Sequence, residues 1–274
     1  MKKTVNWILV HLELVFMALI VLIPIVWIVL SAFNPGNSLA TATLIPKTLT
    51  IDNFRRLFRE TDYGHWFLNS LSIAVLNTVV SVLLILVTAW IMSRFRFKGK
   101  KFSLMSLLLL SMFPTFLSMT ALYTLFLTLG LLDNPLALVI IYVAGAIPYN
   151  VWLVKGYLDG LPKEIDEAAY IDGCSYSDTF RRIILPLSKP IIIYCAVSQF
   201  MMPWMDYILP NMLLSSNTSK TLAIGLYGLI TGHENMNFTL FAAGSVIIAV
   251  PITALFMIFQ KYIVQGVAAG ANKG

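Results

Sequence analysis

Residues 162–186 read PKEIDEAAYIDGCSYSDTFRRIILP and form a polar stretch with strong helix signals. The opening proline suits the first turn of a helix because its missing N–H would be unpaired there. The carboxylates that follow it favour the positive end of the helix dipole. Gly173 can adopt a positive φ angle and end this helix. Ser175 or Ser177 can then cap a second helix, which stops before or at Pro186. The stretch therefore predicts a helix–turn–helix.

Long apolar runs flank this polar stretch on both sides. Hydrophobic residues make up 58% of the 274 positions and charged residues 12%, whereas an average soluble domain is about 45–50% apolar and about 25% charged. A helix needs about 20 apolar residues to cross a bilayer, and the fifth run reaches that length only by continuing through Asp206. Uninterrupted runs also disfavour a β-barrel, whose strands alternate. We predict an all-α polytopic membrane protein of one domain, residues 1–274, with a polar loop at 156–189 and six transmembrane helices near 12–33, 66–93, 102–127, 134–155, 190–212 and 240–262.

The first apolar run has some features of a secretion signal. Lys2 and Lys3 precede it, and the small residues 40–42 follow it. However, its apolar stretch, residues 12–30, is longer than the roughly 7–15 apolar residues of a signal, and the small residues lie well beyond its end. We therefore expect an uncleaved first transmembrane helix.

Basic residues predict the orientation of the six helices. With a cytoplasmic N-terminus, 14 of the 19 Lys and Arg side chains fall on the cytoplasmic side, which is the bias that cytoplasmic loops normally carry. We expect both termini in the cytoplasm, and the net charge of +6 then reflects topology and gives no support to nucleic-acid binding. Three of the outer arginines fall in a segment that we expect to lie along the membrane surface as a short helix, because one of its faces carries Ile51, Phe54, Leu57 and Phe58.

The sequence lacks motifs for catalysis and for metal binding. It contains no G-x-x-x-x-G-K-[ST] stretch for nucleotide phosphates, so we do not expect this chain to hydrolyse ATP or to be an enzyme. The three histidines are scattered, and Cys174 and Cys195 show no metal-ligand spacing. We expect no cofactor bound by this chain, a free thiol at Cys174 and a buried core thiol at Cys195.

The polar stretch also contains a recognisable pattern. Glu167-Ala168-Ala169, Gly173, Ile183 and Leu185-Pro186 fit E-A-A-x3-G-x9-I-x-L-P. This pattern resembles the EAA signature of the permease subunits of bacterial ABC importers. Residues 66–71, 147–149, 243–244 and 260–274 add a similarity to the maltose-type branch of the sugar importers. Residues 204–206 depart from the family, which often has Trp-Asn-Asp/Glu where this chain has Trp-Met-Asp.

The resemblance implies a type I importer permease fold in the bacterial plasma membrane. Its implied partners are a second permease subunit in a heterodimer, two cytoplasmic ATPase subunits that use ATP, an extracytoplasmic sugar-binding protein and membrane lipid. A coupling helix would dock in a cleft of the ATPase, whose closure would move the permeases between inward-open and outward-open states. The alanines would permit close packing, the glutamate would pair with a basic group, and the glycine would set the angle between the helices. The implied docking and anchoring residues are Glu167, Ala168, Ala169, Asp172, Gly173, Ile183, Leu185 and Pro186.

The fifth apolar run carries the candidates for the substrate pathway. Asp206 is costly inside a membrane and by default faces protein or a cavity. Trp204 and Tyr207 can stack on sugar rings and Asn211 can hydrogen-bond hydroxyl groups, although aromatic side chains also collect at membrane boundaries. The segment 211–240 is expected to face the binding protein.

The second apolar run carries Asn69, Ser70 and Asn77 at helical spacing. These polar side chains either line a pathway or form hydrogen bonds between helices, and we favour the helix contacts.

The function that follows is transport of an oligosaccharide, maltodextrin-like, into the cytoplasm by an ATP-driven importer. Glycerol phosphate or another oligosaccharide stays open as the substrate, because no residue in the chain identifies it. A secondary transporter is less favoured, since that class has inverted repeats and intramembrane acids, and the sequence shows no repeat and a single such acid. A membrane-embedded enzyme is also less favoured, because it would need clustered His, Asp or Cys in the helices, and the sequence shows no such cluster.

Overall fold

The structure is a computed structural model that describes residues 2–36, 46, 48–231 and 236–271. These residues form helices joined by turns and short connections, and no strand occurs among them. The helices are α1 (Lys2–Ala32), α2 (Asp52–Glu60), α3 (Tyr63–Arg94), α4 (Lys100–Met112), α5 (Met119–Thr128), α6 (Ala137–Asp159), α7 (Glu164–Ile171), α8 (Tyr176–Thr179), α9 (Leu185–Leu187), α10 (Lys189–Met205), α11 (Ile208–Leu213), α12 (Leu222–Thr231) and α13 (Phe238–Ala271).

Four of these helices, α1, α3, α6 and α13, are long and apolar enough to cross a membrane unaided. The number rises to six if each of two bent helix pairs is counted as one span. One pair is α4 with Phe116–Thr128, bent by 87°, and the other is Tyr176–Leu187 with α10, bent by 78°. The prediction of an all-helical polytopic protein is therefore confirmed, although two of the six apolar runs are not straight helices.

The third apolar run, predicted as one span over residues 102–127, breaks at Pro114. Phe113 and Pro114 adopt extended backbone angles, with ψ values of 126° and 115°. Proline disfavours helical angles at the residue before it and lacks an N–H for the helix ladder. The run therefore divides into α4, a short 3-10 turn at Thr115–Ser118 and α5.

The fifth apolar run also breaks, at Asp206. Helix α10 ends at Met205, and Asp206 is extended with φ −83° and ψ 119°. Its Oδ1 accepts a 3.4 Å hydrogen bond from the N–H of Leu209, so the carboxylate satisfies a backbone donor at the start of α11. The prediction of one helix over residues 190–212 was wrong at this point, and the sequence analysis did not anticipate α12.

The helices gather into two compact units, Met1–Gly64 with Ile224–Pro251 and His65–Ala223 with Ile252–Gly274. In the first unit, the predicted surface helix is present as α2. Leu57 is fully buried, whereas Ile51 and Phe58 are mostly exposed. Asn53 is buried in their place because its Nδ2 donates hydrogen bonds to the carbonyls of Ala32 and Asn34, at 3.0 and 2.8 Å.

The second unit contains the hydrophobic core that supports the polar stretch 162–186. This core draws residues from α3, α6, the segment 180–185 and α10, and its fully or almost fully buried members include Ile85, Ala89, Val151, Val154, Ile184 and Ile191. Between membrane-spanning helices, close van der Waals contact of these side chains stabilises the packing. The polar stretch is thereby fixed on the helices that flank it.

Hydrogen bonds between segments explain the polar residues of α3, as the sequence analysis favoured. The Nδ2 of Asn77 donates to the carbonyl of Gln199 at 2.8 Å, and the Oγ of Ser81 donates to Asn77 at 3.0 Å. Ser70 accepts a 2.8 Å bond from the N–H of Leu222. Asn77 and Ser70 thus hold α3 against α10 and against the start of α12, while Ser81 supports Asn77 within α3.

Candidate functional site

Helix α7 presents one face to solvent. Glu164, Glu167, Ala168 and Ile171 are exposed and follow the i, i+3, i+4, i+7 spacing that places residues on a single helical face. Ile171 is 86% exposed, which is unusual for a large apolar side chain flanked by carboxylates. We call these four residues the α7 face.

The opposite side of α7 packs against the chain itself. Asp166 and Ala169 are both 4% exposed. The two alanines that the sequence analysis treated together therefore differ, because Ala168 lies on the α7 face while Ala169 lies inside. Asp172 and Gly173 are exposed at the end of the helix.

Gly173 ends α7 as predicted. Its φ is +82°, its N–H donates to the carbonyl of Tyr170 at 3.1 Å, and the N–H of Cys174 donates to the carbonyl of Ala169 at 2.9 Å. These two bonds form a Schellman motif. A Cβ at Gly173 would meet no atom within 4 Å, so the requirement for glycine comes from the backbone angle and not from lack of space.

The second helix of the polar stretch begins where Ser175 caps it. The Ser175 Oγ accepts a 3.1 Å hydrogen bond from the N–H of Asp178, which decides between the two predicted caps. The helix was expected to stop before or at Pro186, but it continues to Leu187 through a π-helical segment, Phe180–Ile184. There the N–H of Leu185 bonds to the carbonyl of Phe180, five residues back. Pro162 precedes α7 by two residues and does not lie in its first turn.

The residue that anchors the second helix of the polar stretch in the core is Ile184, whereas the sequence analysis expected its neighbour Ile183. Ile184 is 1% exposed and belongs to the hydrophobic core, whereas Ile183 and Leu185 are half-buried and Pro186 is exposed. The ring of Phe180 lies 4.7 Å from that of Trp90. We call residues 164–187, from the start of α7 to the end of α9, the EAA hairpin.

Two residues that the sequence analysis did not single out as a pair join the EAA hairpin to α3. The Arg94 Nε lies 2.7 Å from Oδ2 of Asp166. No local sequence signal reveals this ion pair, because its partners lie in different helices far apart in the chain. Beside it, burial raises the pKa of the Tyr170 phenol, and the negative charge of Asp166 adds to that effect.

The pathway candidates cluster around the break at Asp206. The Tyr142 hydroxyl donates a 2.9 Å hydrogen bond to Oδ2 of Asp206. Trp204 is only 8% exposed, and its ring lies 5.4 Å from that of Phe67. Tyr207 is half-buried and Asn211 is exposed. Asp206 and Tyr207 are thus partly exposed and Asn211 is exposed, whereas Trp204 is buried.

Asp133 organises the loop around residues 215–217. This loop lies near the start of α3, whereas the EAA hairpin lies near the end of α3. Asp133 has φ +59°, and its Oδ1 accepts hydrogen bonds from the N–H groups of Ser215 and Ser216, at 2.9 and 3.0 Å. The hydrogen bond from the Ser216 N–H is the main reason that the pKa of Asp133 falls to about 2. The Trp66 Nε1 donates to the carbonyl of Asn217 at 2.9 Å, so α3 and the 133 region hold the same loop.

In the part of the chain that the structure describes, no group of three His, Cys, Asp or Glu side chains is arranged to hold a metal ion. The thiols of Cys174 and Cys195 are free, with Cys195 buried. The candidate sites are therefore the exposed α7 face and the polar residues around the break at Asp206.

Comparison with known proteins gives a family match over most of the chain. Residues 81–269 match the model of a binding-protein-dependent transport system inner membrane component. The chain is 40% identical over 267 residues to the galactooligosaccharides transport system permease protein GanQ of Bacillus subtilis strain 168, which covers 96% of this chain and 94% of GanQ. It is also 40% identical over 272 residues to the maltodextrin transport system permease protein MdxG of the same organism, covering 99% of this chain and 98% of MdxG.

A solved structure shows the same fold. A bacterial ABC transporter involved in the import of the acidic polysaccharide alginate contains a chain that is similar with a TM-score of 0.78 and 21% sequence identity. The likeness covers 95% of this chain and 97% of that one. The importer permease fold expected from the EAA pattern is thereby confirmed.

Proposed function

This chain belongs to the family of binding-protein-dependent transport system inner membrane components, and from that membership we propose that it is the permease subunit of an ATP-driven oligosaccharide importer. Its EAA hairpin would receive the movement of a separate ATPase subunit. Its transmembrane helices would form part of the path of the saccharide into the cytoplasm.

The observation that carries this proposal is the α7 face. Two carboxylates, a small alanine and the exposed side chain of Ile171 lie together on one helical face. An exposed apolar residue within a polar patch is typical of a surface that a partner protein covers. In this interface Ala168 permits close approach, Ile171 fills a hollow and Glu167 pairs with a basic side chain of the ATPase.

The construction of the EAA hairpin supports its use as a rigid lever. The Schellman motif at Gly173 and the cap at Ser175 fix the turn between its two helices, and Ile184 fixes the second helix in the core. A flexible loop would absorb an applied displacement, whereas a fixed hairpin transfers it. Ile184 and Phe180, with Leu185 beside them, are the anchors in this proposal, and Ile183 and Pro186 have a smaller part.

The chain requires further partners for transport. The sequence has no P-loop, so two ATPase subunits supply the ATP hydrolysis. The apolar side chains of α1 are unburied over the full membrane-spanning window, which supports contact with lipid and with a second permease subunit. We expect the loop held by Asp133 to face the extracytoplasmic binding protein and both termini to lie in the cytoplasm of a bacterial cell, as the distribution of basic residues favours.

The polar residues around the break at Asp206 support a neutral saccharide as the substrate. Asp206, Tyr207 and Asn211 offer hydrogen-bond acceptors and donors of the kind that hydroxyl groups need. A carboxylate at this position repels a phosphate, so glycerol phosphate is disfavoured. The relatives GanQ and MdxG, named for galactooligosaccharide and maltodextrin transport, support an oligosaccharide.

The test is uptake of labelled saccharide by the intact transporter. We expect Glu167→Lys on the α7 face to lower uptake by about tenfold or more, because a cation replaces the anion of a desolvated charge pair. Ser177→Lys adds the same cation at an exposed position of the second helix outside the α7 face, and it should leave uptake within about twofold of native. Both variants must reach the membrane at native levels.

Equal uptake by the two variants would contradict the docking role of the α7 face. The substrate class is tested separately, by competition for uptake with unlabelled maltodextrin, galactooligosaccharide and glycerol phosphate. Competition by glycerol phosphate alone would overturn the saccharide proposal while leaving the transport role intact.

A further inference from the structure

A buried ion pair connects the last residue of α3 to α7. The Arg94 Nε and the Asp166 Oδ2 are 2.7 Å apart, and each side chain is only 6% exposed. The N–H of Arg94 is not directed at this oxygen in hydrogen-bond geometry, so the contact rests on charge. Both residues lie outside the α7 face.

Neighbouring contacts fasten the same end of α3 to α6 and to the connection between α6 and α7. The Arg94 Nη2 donates a 3.3 Å hydrogen bond to the carbonyl of Leu161. The Ser93 Oγ donates a 2.6 Å bond to Oδ1 of Asp159, whose Oδ2 is 2.6 Å from the Nζ of Lys155. The end of α3 is therefore fixed on two sides, and Asp166 supplies its link to α7 itself.

A buried ion pair of this kind is not expected to add much to the free energy of unfolding. Removing two charges from water costs about as much as their attraction returns, and apolar replacements of buried pairs are often as stable. A buried ion pair instead fixes the relative position of the two helices that carry it. Displacing one partner leaves the other charge buried and uncompensated. The pair thus penalises movement of α7 away from α3.

Helix α3 is suited to carry displacement further. A helix of 32 residues is about 48 Å long and reaches from the EAA hairpin to the other side of the membrane. Midway, Asn77 connects it to α10 at Gln199. Near its start, Trp66 and Asn69 bond to the carbonyls of Asn217 and Thr218, in the loop that Asp133 organises.

We propose that Arg94 and Asp166 are positioning residues that make α7 and α3 one rigid unit, so that movement of the EAA hairpin is delivered directly to α3. This inference rests on the proposed docking of the α7 face on an ATPase subunit. It adds a route through α3, a helix that is not adjacent to the EAA hairpin in sequence. The pair takes no part in docking itself.

Charge reversal and charge swap test the pair in the intact transporter reconstituted with its ATPase subunits and binding protein. Arg94→Asp and Asp166→Arg should each lower transport by about tenfold or more, since each leaves two like charges buried together. The double variant with both changes should recover transport to about a third of native or better, because the attraction is restored. ATP hydrolysis should fall less than transport in the single variants, so more ATP is used for each saccharide.

The exposed pair of Arg182 and Asp178 provides the matched control. Its atoms are 3.5 Å apart, its side chains are 77% and 43% exposed, and it lies in the same EAA hairpin. An exposed ion pair contributes little, so Arg182→Asp should change transport by less than about twofold. Asp178 stays unchanged in this control, because its Oδ2 accepts a 2.6 Å hydrogen bond from the Ser175 Oγ that caps the helix. If transport and ATP hydrolysis fall in proportion in the Arg94 and Asp166 variants, or if the swap restores nothing, the positioning role is overturned.

A distance measurement on the native pair avoids variants that fail to fold. Spin labels at Lys163, just before α7, and at Ile91 in α3 report on the proposed rigid unit. Their separation should be the same with and without trapped ATP, and a change would overturn the proposal. Failure of the docking proposal gives a different result, because labels at Ala168 would then show no contact with the ATPase subunit in the native complex.

Discussion

The backbone conformation at Gly173 restricts which residue types can occupy this position. Its φ of +82° lies in the left-handed region, which costs an ordinary residue about 1–2 kcal/mol and is tolerated by Asn. The sequence pattern alone predicted that a helix ends here, because a glycine follows a helical stretch. The structure adds that the surrounding space is open.

Two substitutions at Gly173 should therefore distinguish the effect of the backbone angle on uptake from the effect of side-chain size. We expect Gly173→Val to weaken the turn of the EAA hairpin and to lower uptake several-fold, since a β-branched residue is strained at this φ. Gly173→Asn adds a side chain of similar size and should stay near native. Uptake assays at matched membrane levels measure the difference, and equal loss in both variants would indicate that the free space, and not the backbone angle, is what matters.

The carboxylate of Asp133 should make the stability of the loop that it holds depend on pH. Its pKa falls to about 2 in the folded chain from an ordinary value of 3.8, so its ionised form is favoured by folding. The stabilisation is therefore complete above about pH 4 and is lost as the pH falls towards 2. Asn at this position tolerates the φ of +59° and can still accept the two hydrogen bonds, but it lacks the charge.

Amide exchange in the loop that contains Ser215 and Ser216 tests this prediction. At pH 5 the native chain should protect these amides better than Asp133→Asn does, and the difference should shrink as the pH approaches 2. A difference that stays constant over this range would show that the charge of Asp133 does not hold the loop.

The buried residues Arg94, Asp166 and Ile184 show the limit of sequence reasoning at the residue scale. Asp166 was interpreted as one of several carboxylates at a helix N-terminus, and Arg94 as part of the topological charge bias. Their pairing depends on how α3 and α7 meet, which no local pattern encodes. Ile183 and Ile184 are adjacent isoleucines, and only the path of the π-helical segment decides which one enters the core.

At the scale of helices, close packing explains one of the family landmarks. A Cβ on Gly244 in α13 would lie 2.5 Å from Leu226 Cδ2 and 3.0 Å from Tyr63 Cε2. The Tyr63 hydroxyl also donates a 3.0 Å hydrogen bond to the Gly244 carbonyl. Glycine here lets α13 approach α12 and the start of α3 closely, as small residues do between membrane helices.

Gly244→Ala should therefore destabilise the chain by about 1–3 kcal/mol, the usual cost of overpacking. Gly228→Ala in α12 is the control, because a Cβ there would meet no atom within 4 Å and alanine favours helices by about 0.5–1 kcal/mol. Thermal unfolding in detergent should show a lower midpoint for the first variant and an equal or higher one for the second. Similar midpoints would contradict the packing at Gly244.

The helices themselves were largely predictable, and the geometry of their breaks was not. Length and hydropathy identified α1, α3, α6 and α13 because long uncharged runs have few alternatives to spanning helices. The breaks at Pro114 and Asp206 depend on local angles and on a carboxylate that binds Tyr142 and the N–H of Leu209. Helix α12 lacks charged residues but is shorter than a span, so apolar length alone did not reveal it.

At the scale of the whole molecule, the EAA hairpin joins the two properties that transport requires. Its α7 face is exposed to solvent, where we propose that the ATPase subunit binds, while Asp166 and Ile184 fix the hairpin to α3 and to the hydrophobic core. The EAA pattern predicted the location and the partner class, whereas the division of α7 into an outward and an inward side emerged only from the structure.

The central claim is that the α7 face contacts an ATPase subunit, and cysteine cross-linking tests it most directly. Ala168→Cys in the intact transporter should cross-link to the ATPase with a short reagent, and ATP should change the yield. Ser177→Cys, which is exposed in the second helix of the EAA hairpin, should cross-link weakly or not at all. A strong product from Ser177→Cys together with none from Ala168→Cys would contradict the account.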